Sequence, residues 1–179
     1  NVGDVAGMGA DLFESYVGAI LSALTLGVLA FGDQGVSYTL VLVACGIAAA
    51  FVGIQSVRGD GNPQQSLNLG TLIAGGVVIL ASLLFSLLIF GQYRLFLPVL
   101  VGTVVGLGIS KVTEFYTSDR YPSVRKIAEE SETGAATNII AGLSVGMKST
   151  AVPLILVALG VILSLSLIHI SEPTRLLSI

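Results

Sequence analysis

Charged side chains are scarce in this chain, and that scarcity determines its class. Of 179 residues, 11% are charged and 54% are hydrophobic, whereas soluble domains carry roughly 25% charged residues. A chain with so little charge cannot cover a water-exposed surface with polar side chains, which indicates an integral membrane protein. The eight basic and eleven acidic residues are scattered along the chain, so no basic patch suggests nucleic-acid binding.

Cysteine, histidine and proline are also rare. The single cysteine, Cys45, lies in an apolar run, which excludes a disulfide or a cysteine metal cluster within the chain. The single histidine, His169, has no evident catalytic partner in the sequence around it. Glycine, by contrast, is abundant at 22 residues, as is typical of membrane helices that pack closely through small residues.

Five apolar stretches are long enough to cross a bilayer, which takes about 20 helical residues. They cover residues 6–31, 36–57, 67–90, 95–115 and 137–165. Short polar segments separate them, so we expect an all-α polytopic bundle in which successive transmembrane helices are antiparallel neighbours. The longest connection, 117–136, is expected to contain a short helix with Ser123 as its N-cap.

Basic residues indicate which connections face the cytosol. The second and fourth connections are flanked by Arg58, Lys111, Arg120, Arg125 and Lys126. The other two contain only Arg94. Because basic residues favour the cytoplasmic side, we predict that the second and fourth connections are cytoplasmic, together with the first residue of the chain.

Three carboxylates lie at the start of the first apolar stretch, in NVGDVAGMGADLFESY. Asp4 and Asp11 are seven residues apart and Glu14 follows three later, so a helix places them in a line running from the cytosol toward the bilayer middle. An acid at membrane depth costs about 2.5 kcal/mol or more unless it is paired or hydrated. The line predicts a cytosolic cation-binding site leading into an ion path, although Asp4 alone fits a solvated interfacial acid equally well.

Two motifs resemble one known family. The segment 1–16 resembles the second half of the signature on the sixth helix of membrane-bound, ion-pumping inorganic pyrophosphatases, most like the sodium-pumping type. Residues 113–150 are similar to the connection between that family's ninth and tenth helices and to the helix that follows. The resemblance implies a partial transmembrane domain over 1–165, about helices six to ten of a sixteen-helix protein, with its first helix in an inner ring.

Residues 166–179 depart from the family pattern. This tail resembles translated sequencing-adapter read-through, and we exclude it from the fold. The alternative is a genuine but disordered terminus.

The resemblance also implies a role for each carboxylate. Asp4 matches a catalytic, metal-binding aspartate that holds the magnesium pyrophosphate complex and positions the attacking water. Asp11 matches the carboxylate of an ion gate, and Glu14 matches a transport glutamate whose placement varies among subfamilies. Glu14 followed by Gly18 is more like the potassium-dependent sodium pumps, because plant-type proton pumps have glycine first and glutamate one turn deeper.

The implied function is a pump that couples pyrophosphate hydrolysis at the cytosolic face to Na⁺ or H⁺ transport. Mg²⁺ is the implied cofactor, with K⁺ and Na⁺ as further ions. The implied partners are pyrophosphate with Mg²⁺, the transported Na⁺ or H⁺, the lipid bilayer and a second copy in a homodimer, and the implied location is a prokaryotic inner membrane. The fragment alone is expected to be inactive, since other acidic and basic residues of the family signature are absent.

Two other functions remain open on the sequence alone. A cation channel or secondary transporter could use the acids to coordinate a permeating ion, and a structural bundle would need no transport at all. GLSVGMKST (142–150) is not a phosphate loop, because Met147 stands where that motif requires glycine. Lys148 is expected to snorkel or pair locally, and Lys111 is expected to pair with Glu114.

Overall fold

A computed structural model describes residues 2–57, 63–93 and 95–171, and all regular structure in these ranges is helical. The helices are α1 (Val2–Phe31), α2 (Asp33–Gln55), α3 (Pro63–Phe90), α4 (Phe96–Thr117), α5 (Pro122–Ser131) and α6 (Ala135–Ser171). The five segments that contain α1, α2, α3, α4 and α6 are long and apolar enough to cross a membrane. The predicted all-α class and the five spans are therefore confirmed.

Some predictions concern residues outside the described ranges. Arg58, Arg94 and residues 172–179 are among them, and the side chain of His169 also lies outside the described part. The sidedness inferred from the basic residues and the assignment of the tail stay predictions.

The connection between the first two helices is shorter than the sequence suggested. Gly32 alone separates α1 from α2, and α2 begins at Asp33 rather than at residue 36. Gly32 adopts φ 59°, a left-handed conformation that costs glycine little because it has no Cβ. The Asp33 carboxylate lies in the first turn of α2, where negative charge complements the helix dipole. Polar residues assigned to the connection therefore begin the helix.

The connection after α4 contains the predicted short helix, but Ser123 is not its N-cap. Tyr121 occupies the cap position without a side-chain capping bond, and Pro122 is the first helical residue. Proline suits that position because its fixed φ is helical and its missing N–H would have no helical partner there. The N-cap prediction is therefore wrong, since Pro122 starts the helix before Ser123. The Arg125 Nε donates to the Asp119 carbonyl at 3.0 Å and ties α5 to the preceding turn.

The first compact unit, Asn1–Phe96, is held together by backbone contacts at glycines. A Cβ added at Gly35 of α2 would overlap the Gly27 carbonyl oxygen of α1, and one at Gly53 would lie 2.7 Å from the Gly70 carbonyl oxygen of α3. No side chain fits at these contacts, so α2 touches both neighbours backbone to backbone. The fully buried side chains that are described are equally small: Ala49, Ser82 and Ser86.

Aromatic side chains join the three helices of this unit at the Gly32 end. The Phe90 ring stands edge-on to Phe31, with centroids 5.3 Å apart, and to Tyr38, with centroids 5.4 Å apart. The Tyr38 hydroxyl donates to the Ser82 carbonyl oxygen at 3.2 Å. Each edge-to-face pair contributes about 0.5–1.5 kcal/mol beyond its buried area. These contacts fix the end of α1 that is farther from its carboxylates.

The second compact unit, Leu97–Ile179, contains α4, α5 and α6. A Cβ added at Gly160 of α6 would lie 3.0 Å from a methyl carbon of Val105 in α4, so these helices also meet closely at a glycine. Within α4 the Lys111 Nζ lies 2.9 Å from the Glu114 Oε2, which confirms the predicted ion pair. Such an i,i+3 pair contributes about 0.2–0.5 kcal/mol, so it supports a helix end rather than the fold.

The glycine contact between α1 and α2 predicts a specific sensitivity to a single methyl group. We expect Gly35→Ala to destabilise the complete protein by about 1–3 kcal/mol, the usual cost of overpacking. Gly46→Ala on the same helix is the matched control, because a Cβ there meets nothing within 4 Å. Thermal unfolding in detergent measures both variants, and equal stability of the two would contradict backbone contact at Gly35.

The predicted sidedness can be tested by cysteine labelling in a background where Cys45 is replaced by alanine. We expect Ser66→Cys and Ser131→Cys to react with a membrane-impermeant reagent from the cytosolic side only. Gln34→Cys, beside the Gly32 connection, should react only from the opposite side. Labelling of Ser66→Cys or Ser131→Cys from the outer face alone would overturn the topology.

Candidate functional site

The three predicted carboxylates lie on the exposed first half of α1. At about 100° per residue, Asp4 and Asp11 are within about 20° of each other around the helix, and Glu14 is about 60° from Asp11. At 1.5 Å per residue the row extends about 15 Å along the axis. Helix α1 therefore places all three on one side, which we call the acid row.

The acid row faces away from α2. The half-buried residues of α1 are Ile20, Leu24, Gly27 and Phe31. This spacing defines one helix face, and Gly27 on it approaches Gly35 of α2. Projected along the helix, that face lies about 170° from Asp4 and Asp11 and about 110° from Glu14. The carboxylates thus occupy the side of α1 that its described neighbour leaves uncovered.

The apolar residues in this half of α1 are also uncovered within the described chain. Val5 is 70% exposed and Leu12 is 69% exposed, and a Cβ at Gly3 or Gly7 would meet nothing within 4 Å. An ionised acid facing hydrocarbon at the centre of a span costs about 2.5–3.5 kcal/mol. A stable position in the membrane therefore requires water, ions or further helices against this face.

The polar side of α1 continues beyond Glu14 through residues that were not predicted to extend the row. Gly18, Ser22 and Thr25 follow at helical spacing on the side of the acid row, all within about 80° of arc. The Ser22 and Thr25 hydroxyls donate to the Gly18 and Leu21 carbonyl oxygens at 2.9 and 2.8 Å. Their own oxygens keep lone pairs for a proton or a cation. The recurrence of small or polar residues three and four apart is the signal that could have found them.

The described residues do not by themselves form the predicted magnesium site. Over the part of the chain that the structure describes, no three His, Cys, Asp or Glu side chains come together as a metal site. Asp4 and Asp11 are separated by about 10 Å along the helix axis, whereas Mg²⁺ binds oxygens at about 2.0–2.1 Å. Asp4 suits Mg²⁺ as one hard oxygen ligand, since the ion is commonly held by one or two carboxylates, waters and substrate phosphates.

A separate cleft, lined by both polar and apolar side chains, lies between α5 and α6, with a volume of about 290 Å³. Its polar lining consists of Lys126 and Glu130 from α5 and Thr137, Ser144 and Lys148 from α6. The Thr137 hydroxyl donates to the Glu130 carbonyl oxygen at 3.1 Å and so joins the two helices. No residue of the acid row lines this cleft.

Comparison with known proteins identifies relatives of this chain. Residues 1–172 match the family described as inorganic H⁺ pyrophosphatase. A Clostridium tetani protein, provisionally named a K⁺-stimulated pyrophosphate-energized sodium pump, is 53% identical over 163 residues, which cover 89% of this chain and 24% of the relative. A Bacteroides thetaiotaomicron protein with the same provisional name is 41% identical over 175 residues, with the same two coverages.

A proton pump is also among the relatives. A Methanosarcina mazei protein named a K⁺-insensitive pyrophosphate-energized proton pump is 40% identical over 166 residues, again covering 89% of this chain and 24% of the relative. The chain thus spans about a quarter of the length of these three curated relatives. No solved structure matches it significantly.

Proposed function

Because this chain belongs to the inorganic H⁺ pyrophosphatase family, we propose that it is a membrane segment of a pump driven by pyrophosphate hydrolysis at the cytosolic face. The observation that carries the proposal is the acid row, which begins at Asp4 and continues along the uncovered side of α1. The names of the relatives support the same activity. Since the chain covers 24% of those relatives, the activity belongs to the complete protein.

Asp4 is the proposed catalytic and metal-binding residue of this segment. Its carboxylate would be one ligand of the Mg²⁺ that accompanies pyrophosphate, and it would accept a hydrogen bond from the attacking water. The bound ion would neutralise charge on the leaving phosphate. Water would add to one phosphorus as the bridging P–O bond breaks, and the second phosphate would leave with the bridging oxygen. One proton of the water would stay on the phosphate that it attacks, and the other would pass to the leaving phosphate or to the solvent at the cytosolic end of the acid row.

Asp11 and Glu14 are the proposed gate and cation site below the hydrolytic centre. Residues three apart on a helix are neighbours, with Cβ atoms about 5–6 Å apart. Two carboxylates this close in a low-dielectric path repel each other, and a cation placed near both offsets that repulsion. A sodium ion resolves the conflict, and Gly18 provides no carboxylate one turn deeper, which makes Glu14 the inner limit of the site.

Sodium is the transported ion that we propose, with protons as the alternative outcome. The relative at 53% identity carries a sodium-pump name and the relative at 40% identity carries a proton-pump name. The order of Glu14 and Gly18 supports the same choice. We also propose K⁺ stimulation, which is named for two relatives. The complete protein is proposed to assemble as a homodimer in a prokaryotic inner membrane. No observation on the described residues favours a channel, a secondary transporter or a structural bundle over this pump.

The role of Asp4 predicts a loss of hydrolysis. In the complete protein, we expect Asp4→Asn to lower magnesium-dependent pyrophosphate cleavage about a hundredfold or more, because a catalytic carboxylate contributes about 10²–10⁴-fold. Asp33→Asn is the matched control, since it removes an exposed acid of the first turn of α2, at the opposite end of α1 from Asp4. Phosphate release measures both variants. Normal cleavage by Asp4→Asn would contradict the assignment.

The role of Glu14 predicts a change in ion dependence. We expect Glu14→Ala to weaken the activation of hydrolysis by sodium and to abolish coupled transport, because the inner carboxylate of the cation site is gone. Moving the acid inward, as Glu14→Gly with Gly18→Glu, should shift the preference toward protons. Within this segment a Cβ at Gly18 meets nothing within 4 Å, so the added side chain has room.

Hydrolysis at increasing sodium concentration, measured together with sodium uptake into vesicles, tests both Glu14 variants. An unchanged sodium dependence in both would mean that Glu14 only packs. Loss of hydrolysis at every sodium concentration in Glu14→Ala would argue for a catalytic role rather than a transport role.

A further inference from the structure

The cleft between α5 and α6 has a charge that the proposed pump mechanism does not use. We propose that Lys126 and Lys148 bind a phosphate group in this cleft, at the cytosolic boundary of the membrane. The volume of about 290 Å³ is well above the roughly 30 Å³ share of one water, so a phosphate with part of its hydration shell fits. The proposal concerns binding alone and does not depend on the pump.

Both lysines lack a carboxylate partner among the described residues. Neither ammonium group forms a salt bridge there, whereas Lys111 of α4 is paired with Glu114. The acid of the cleft, Glu130, also forms no salt bridge among the described residues. The Thr133 hydroxyl lies 3.4 Å from its carboxylate but has its shorter contact, 2.8 Å, with the Glu130 carbonyl oxygen. Two ammonium groups therefore face one carboxylate, and the cleft keeps an excess of one positive charge for an anion.

A hydroxyl group in the cleft offers a further hydrogen-bond donor beside the two ammonium groups. Thr137 is committed to the carbonyl oxygens of Glu130 and Gly134, at 3.1 and 2.8 Å. Ser144 lines the same cleft, and over the described chain its hydroxyl makes no hydrogen bond. Two ammonium groups and a hydroxyl suit the oxygens of a phosphate, since hydrogen bonds to an ionised acceptor are about twice as strong as neutral ones.

The length of α6 places this cleft at the membrane boundary. Residues 149–165 contain no charged side chain, and at 1.5 Å per residue they extend about 26 Å, close to the roughly 30 Å hydrocarbon thickness of a bilayer. Lys148 then marks the edge of the hydrocarbon, and the turns before it, with α5, lie on the side predicted to be cytosolic. Two sources of phosphate reach this depth: the headgroups of anionic phospholipids and free inorganic phosphate from the cytosol.

The experiment uses the complete protein with its catalytic site filled by Mg²⁺ and a non-hydrolysable pyrophosphate analogue. One arm measures binding of radiolabelled inorganic phosphate by equilibrium dialysis. The other measures the immobilised fraction of spin-labelled phosphatidylglycerol in phosphatidylcholine vesicles that contain the protein. The variants are Lys126→Gln with Lys148→Gln, the corresponding double arginine variant, and Lys111→Gln as a control for removing a lysine outside the cleft.

We expect the double glutamine variant to weaken binding of one probe about tenfold or more, as loss of charge-assisted hydrogen bonds would, while the arginine variant and Lys111→Gln retain it. The probe that responds identifies the source. If the double variant aggregates, the single Lys126→Gln on the exposed side of α5 should show a smaller loss. Binding of both probes that is independent of this lysine pair, or an equal loss in Lys111→Gln, would overturn the site. Failure of the pump proposal would appear as absent hydrolysis and would leave the lipid arm unaffected.

Discussion

An ionised carboxylate cannot face hydrocarbon cheaply, and this constraint organises the first half of the chain. Asp4, Asp11 and Glu14 lie on one side of α1, about 110–170° from the face that packs toward α2. The acid row therefore opens toward a region that the described helices do not fill, which is compatible with the proposed ion path.

Glycine contacts determine which part of α1 is held and which part is open. Its last turns are fixed by Gly27 against α2 and by the Phe31 ring against Phe90. Its first turns lie apart from α2, with a groove of about 450 Å³ between Tyr16 and the second half of α2. One helix thus combines a fixed end with an end available for substrate, ions and other helices. The proposed pump would use both properties, because α1 would join hydrolysis to transport in it.

The second half of the chain uses charge differently. The Lys111–Glu114 pair lies within one helix, and the Lys111 side chain is 62% exposed. The pair therefore stabilises only the end of α4. Lys126 and Lys148 come from different helices, and the packing of α5 on α6 brings them to one cleft. The snorkelling expected of Lys148 fits this position, because its long side chain can reach from the hydrocarbon edge into the cleft.

The sequence by itself determined the helical class, the five spans and the acid row. Each follows from a local rule: about 20 apolar residues cross a bilayer, and residues seven apart return to nearly the same helix face. Local rules also placed the Lys111–Glu114 pair. They misplaced the start of α5, because Pro122 rather than Ser123 controls the first turn. They also misplaced the start of α2, because the conformational freedom of Gly32 lets one residue join two helices.

Only the tertiary structure decided which side of α1 faces α2 and which of the 22 glycines lie at backbone contacts. It also decided that Lys126 and Lys148 line the same cleft. These facts depend on which helix faces meet, and many pairings of apolar, glycine-rich faces are compatible with one sequence pattern. Packing distinguishes among them through contacts far apart in the chain, such as Gly53 with Gly70 and Tyr38 with Ser82.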